Sequence, residues 1–167
     1  MPTPTSEEML AELFRQLGAR EPEQWARSQM SEGIPQLQRF LFLKSAWANV
    51  VRDGDSKWID DEIHSSKSHP ERPFAGLGAG LERCRQLGVA DRYLIEIARC
   101  LQVQMLFNIS YLMDHPGDLP APLQDMCWGL FQVDDAGNPF GLQIAGLHES
   151  VLELEPTGRE MRPDREA

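Results

Sequence analysis

Asp60, Asp61 and His64 stand at offsets of three and four within a segment of helical patterning. Those offsets return to one face of a helix, so the imidazole sits over both carboxylates and the trio could offer a metal ion one nitrogen and two oxygens. Further ligands would have to come from His69, His115 or His148, each near an expected helix end. No second closely spaced pair completes the set, and the repeated Glu-x-x-His signature of ferritin-like bundles is absent. The plainer expectation is a solvated acidic helix with a local Asp to His ion pair. Together with Glu62 the same carboxylates make three successive negative charges. Asp60, Asp61 and Glu62 are therefore the expected contact for a protein partner with a basic surface.

Other residues carry weaker signals. Gly76-Leu77-Gly78-Ala79-Gly80 has the glycines of a phosphate loop, but no strand signal precedes it and no Lys-Ser or Lys-Thr follows, so close packing of a helix is expected instead. Ser150 follows His148 and Glu149, yet neighbours on a helix point in different directions and a catalytic triad is a matter of geometry. Cys84 lies between Arg83 and Arg85, which ease ionisation of a thiol, while its place on an apolar stripe argues for packing. Asn108 falls on the line of Leu94, Ala98, Leu101, Met105 and Leu112 and is expected as a buried amide. With Tyr111 and Trp128 as walls, Asn108 is also the candidate floor of a small-ligand pocket. No residue is singled out as catalytic and no cofactor is implied.

A chain of 167 residues, 41% hydrophobic and 25% charged, should bury a core as a single domain. Its 26 acidic against 16 basic residues, a net charge of -10, repel phosphate backbones and speak against nucleic acid. The longest apolar run, Cys100 to Met113, is broken by Gln102, Gln104 and Asn108 and falls short of the roughly 20 residues a membrane span needs. Met1-Pro2-Thr3-Pro4-Thr5 has no basic segment leading into an apolar one, so no secretory signal is expected. Three widely spaced cysteines fit reduced thiols in the cytoplasm.

The elements that must position these residues read as helices. Thr5-Ser6-Glu7-Glu8 suggests a capping box ahead of Met9, Leu10, Leu13, Phe14 and Leu17, with Gly18 as the stop. A second helix opens at Pro22 and ends near Gly33, and a third, central one follows Pro35. Asp55 and Ser56 cap a short fourth helix, with a loop from Ser65 to Pro73. The fifth covers Gly76 to Leu87 and ends on Arg85-Gln86-Leu87-Gly88, the same chemistry as Arg15-Gln16-Leu17-Gly18. Asp91 to Met113 is the longest helix; its second half is apolar nearly all round, and must be wrapped by other helices or shared with a second copy. A seventh helix is expected from Pro122 to Phe131, a short β-hairpin near residues 132–141, and one more short helix through Ile144, Leu147 and Val151.

The expected architecture is all-α: an irregular or orthogonal bundle of six to eight helices in one domain, residues 1–155, with a mobile tail at 156–167. The expected function is that of an acidic, cytoplasmic, non-catalytic interaction or regulatory protein, adaptor-like or immunity-like, with a homodimer open to it. The alternatives are a metal-dependent hydrolase-like bundle using Asp60, Asp61 and His64, and a small-ligand sensor around Asn108.

Overall fold

The computed structural model describes residues 6–115, 122, 123 and 125–163. Among them the fold is all-α, with seven helices and one two-stranded antiparallel hairpin. The chain divides into two compact units, one of residues 1–47 and 106–167 and one of residues 48–105.

In the first unit, α1 (Glu7–Gln16) starts at Ser6, whose hydroxyl accepts from the Met9 N–H at 3.2 Å. The cap is thus one residue later than the box expected at Thr5, which lies outside the described residues. The helix ends where Gly18 adopts φ +84°, and the Ala19 N–H turns back to the Phe14 carbonyl at 2.9 Å. A left-handed residue is needed for that reversal, and glycine takes it without a Cβ clash. α2 (Pro22–Glu32) carries proline in its first turn, where no N–H is needed, and α3 (Gln36–Trp47) follows. Phe14, Trp25 and Phe40, one from each helix, meet with ring centroids 5.4 to 5.8 Å apart and centre a core that includes Leu10 and Leu37.

The second unit holds α4 (Lys57–Ser68), α5 (Gly76–Gln86) and the first part of α6 (Asp91–Asp114) around Ile59, Leu81, Leu94 and Ile95. The end of α5 repeats that of α1: Gly88 has φ +83°, and the Val89 N–H reaches the Cys84 carbonyl at 3.0 Å. The glycine-rich stretch lies inside α5 and serves packing. A Cβ on Gly78 would fall 2.5 Å from the Glu62 carbonyl oxygen and 2.2 Å from the Ser66 hydroxyl of α4, whereas one on Gly80 would meet nothing within 4 Å. Gly78→Ala should therefore force α4 and α5 apart at a cost of about 2 kcal/mol. Gly80→Ala, two residues away, should stabilise by about 0.5–1 kcal/mol through helix propensity. Opposite shifts of the denaturation midpoint check the pair.

α6 differs from expectation in its phase. Leu94, Ile95, Arg99 and Val103 are buried in the second unit and Ser110 in the first, while Tyr93, Ile97, Leu101 and Met105 are each more than half exposed. The line drawn through Leu101, Met105 and Asn108 is thus an outer one, and Asn108 is exposed rather than buried. Polar Arg99 turns inward because its Nη1 donates to the Val51 carbonyl at 2.6 Å. No helix on the described residues is long and apolar enough to cross a membrane.

The helix expected from Pro122 to Phe131 is absent from the described residues there. Gly129 interrupts its apolar pattern; the Met126 N–H instead closes a turn on the Leu123 carbonyl at 3.0 Å, and the Leu130 carbonyl accepts from the Ile144 N–H at 2.8 Å. The segment leads into β1 (Gln132–Val133), paired with β2 (Pro139–Phe140) in the hairpin the turn residues suggest. Asp134 closes that turn by accepting from the Ala136 and Asn138 N–H groups, both at 2.9 Å. The short last helix is α7 (Leu147–Ser150).

Candidate functional site

Residues 36, 37, 39, 40, 43 and 47 of α3 form its inner face, and two of these are polar. Gln36 and Arg39 are each only 7% exposed. The Arg39 Nη1 donates to the Ser150 hydroxyl of α7 over a long 3.5 Å, and its buried Nε has no acceptor. Among the described residues no carboxylate forms an ion pair with it. Burial pushes the guanidinium below its ordinary value, opposed by the charges of Glu149, Asp114, Glu153 and Glu32. Gly146 makes room for this side chain: with φ +71° it carries no Cβ, and one built there would fall 2.3 Å from Arg39 Nη2.

A cavity of about 330 Å³ opens beside Arg39. α2 contributes Trp25, Ser28, Ser31 and Glu32 to its wall, and Gln36 and Arg39 come from α3. Glu149, Ser150 and Glu153 close it from α7 and the turn that follows. Gln36 Nε2 donates to Ser28 Oγ at 2.8 Å, while Gln36 Oε1 is buried with no donor. Burial raises the Glu153 carboxyl above its ordinary value, and the nearby Glu21 charge adds to the shift. The cavity thus combines one buried cation, Arg39, and one exposed cation, Arg27, with an acceptor in want of a donor and three carboxylates.

Nearby in the same unit, Asp114 at the end of α6 accepts from His148 twice, at 2.5 Å from Nδ1 and 3.1 Å from the backbone N–H. Gly146 at the N-cap of α7 has no side chain to cap with, and Asp114 supplies that function from another helix. Burial alone would raise its carboxyl, but the His148 ring and the His148 and Leu147 N–H groups outweigh it and hold it below the ordinary value. Around the pair, Phe107 and Tyr111 meet the His148 ring edge-on at 5.9 and 5.1 Å, and Tyr111 stacks on His115 at 4.6 Å.

The residues singled out by spacing lie elsewhere. In the second unit Asp60 pairs with Arg85 at 2.6 Å, Asp61 with Lys57, and Glu62 with Arg72, while His64 is exposed. Arg85 also takes Asp91 at 2.7 Å, and the hydrogen bonds to Asp91 and Asp60 raise its pKa further. Among the described residues no group of three or more His, Cys, Asp and Glu side chains is placed to hold a metal ion. Trp128 Nε1 donates to the Leu112 carbonyl at 2.9 Å, and none of Asn108, Tyr111 and Trp128 lines the cavity beside Arg39. Ser150 and His148 diverge from α7 to Arg39 and Asp114, as helix geometry requires. The signal that pointed to Arg39 was present: a charge placed between Gln36 and Leu43 at core spacing on α3. Comparison with protein-family models, curated proteins and solved structures finds no match to this chain.

Proposed function

We propose that this chain binds a small polar ligand in the cavity of its first unit, with Arg39 as the residue that holds it. The observation that carries the reading is a nine-tenths-buried arginine, at the wall of a cavity, whose hydrogen bonding among the described residues is confined to one long contact. A buried charge costs several kcal/mol unless it is paired, and such a cost is retained where a ligand supplies the missing partner. At about 330 Å³ the cavity lies at the low end of the range of roughly 300–1,000 Å³ for small-molecule sites. The protein is then of the sensor type. Its three free thiols support a place in the cytoplasm.

The adaptor reading draws on the net charge of -10, but Asp60, Asp61 and Glu62 are each matched by a cation of their own chain, which weakens the anionic patch it relies on. The hydrolase reading finds no support in the exposed His64. A thermal-shift screen of small polar metabolites tests ligand binding. At a hundred times its Kd a ligand adds about 2.7 kcal/mol, so a true binder should raise the melting temperature of the parent by roughly 5–10 °C. Gly146→Ala, whose Cβ displaces the guanidinium, should abolish that rise. A library in which no compound moves the parent sinks the reading.

A further inference from the structure

Resting on the ligand-site reading above, we infer that the cavity takes a free α-amino acid, its carboxylate on Arg39 and its ammonium among Gln36, Glu149 and Glu153. The forked donors of a guanidinium match a carboxylate in plane and spacing, and the Ser150 hydroxyl beside Arg39 offers a further contact to the same group. Across the cavity the demand is the opposite. Gln36 Oε1 is an orphaned buried acceptor, and Glu32 from α2 with Glu149 and Glu153 from α7 and the turn after it bring three carboxylates to the lining.

A ligand that is only an anion would satisfy Arg39 while facing those carboxylates. A polyamine would satisfy the carboxylates while facing a buried cation. A molecule with both charges a few ångströms apart meets both demands, and an α-amino acid is the smallest common one. The raised pKa of Glu153 fits this assignment, because burial and the Glu21 charge there outweigh the charges of Arg20 and Arg39. The small volume favours a free amino acid over a peptide.

Isothermal titration calorimetry on the full chain tests this with each of the twenty common L-α-amino acids in turn. The tightest binder is then compared with its decarboxylated amine and with its N-acetyl derivative. Each derivative is expected to lose at least 30-fold in affinity, since one leaves buried Arg39 and the other buried Gln36 Oε1 and half-buried Glu153 without a partner. Arg39→Met should lose about 100-fold while melting at or above the parent temperature, because the unpaired buried charge is gone. Glu149→Gln, an exposed change that spares the core, should lose about 10-fold. An amine that binds as well as its parent amino acid removes the carboxylate assignment. If no amino acid binds while another small polar metabolite does, the ligand class is wrong and the site stands. If neither the amino acids nor any metabolite of the screen binds, both readings fall.

Discussion

Asp114→Ala is expected to destabilise the protein by about 3 kcal/mol, seen as a fall of about 10 °C in melting temperature. The side chain is 3% exposed and does two jobs at once: it caps α7, which has glycine at its N-cap, and it fixes the His148 ring. Loss of a cap costs about 1 kcal/mol, and loss of a hydrogen bond to a charged group about 1.5–3 kcal/mol. Asp114→Asn can still turn one oxygen to both His148 donors, which meet the same carboxylate oxygen, but it loses the charge, so it should recover part of the loss. The effect has a sign in pH. Folded Asp114 titrates below its unfolded value of about 4, so its contribution is complete above that range and drains away as pH falls through the lowered folded value. Melting of parent and Asp114→Ala should therefore differ by the full amount above about pH 4 and converge only as pH falls further, through the lowered folded value. A constant gap down to strong acid would mean that the carboxylate charge plays no part.

Asp114 and His148 also show where reading the chain stops. Elements set by local chemistry were legible: the two stops at Gly18 and Gly88, the proline start of α2 and the Asp134 turn all depend on residues within a few positions of one another. Contacts that cross the chain were not. Asp114 meets His148 over 34 residues and Arg39 meets Ser150 over 111, and no periodicity encodes such pairings.

α6 failed for a different reason. A helix apolar nearly all round gives no polar face from which to read its phase, so the inner stripe could be placed on either side. The deciding contacts were polar ones, Arg99 to the Val51 carbonyl among them, on the face that apolar counting passes over. The same bias hid the candidate site. Arg39 is a charge within an apolar helix, and only its spacing from Gln36 and Leu43 puts it on the inner face. The acidic run at 60–62 drew notice for its density, yet Lys57, Arg72 and Arg85 answer it from the same unit. Charge density along a chain says little about free charge once the helices pack. A charge at core spacing says more.

Truncation after Glu155 is expected to cost about 3 kcal/mol, although the residues beyond it look dispensable by composition. Glu155 is 1% exposed, and its carboxylate accepts from the Thr157 N–H at 3.1 Å, the Thr157 hydroxyl at 2.5 Å and the Arg159 N–H at 3.0 Å. Removing three donors from a buried carboxylate leaves it to recover hydration by opening the structure around it. Gly158 lies so close to the α1–α2 connection that a Cβ on it would fall 2.7 Å from Arg20 Nη1, while Arg20 Nη2 donates to the Glu153 carbonyl. The turn at 157–159 thus closes over the end of the same short segment that carries Glu149, Ser150 and Glu153 to the cavity. Truncation after Pro163 spares every one of these contacts and should leave melting unchanged. Thr157→Val, which deletes one donor, should fall between, near 1.5 kcal/mol. Guanidinium denaturation of the three proteins decides the order. A chain cut after Glu155 that unfolds with the parent's midpoint would show that the carboxylate is already hydrated in solution, and that the buried turn contributes nothing to holding the cavity wall.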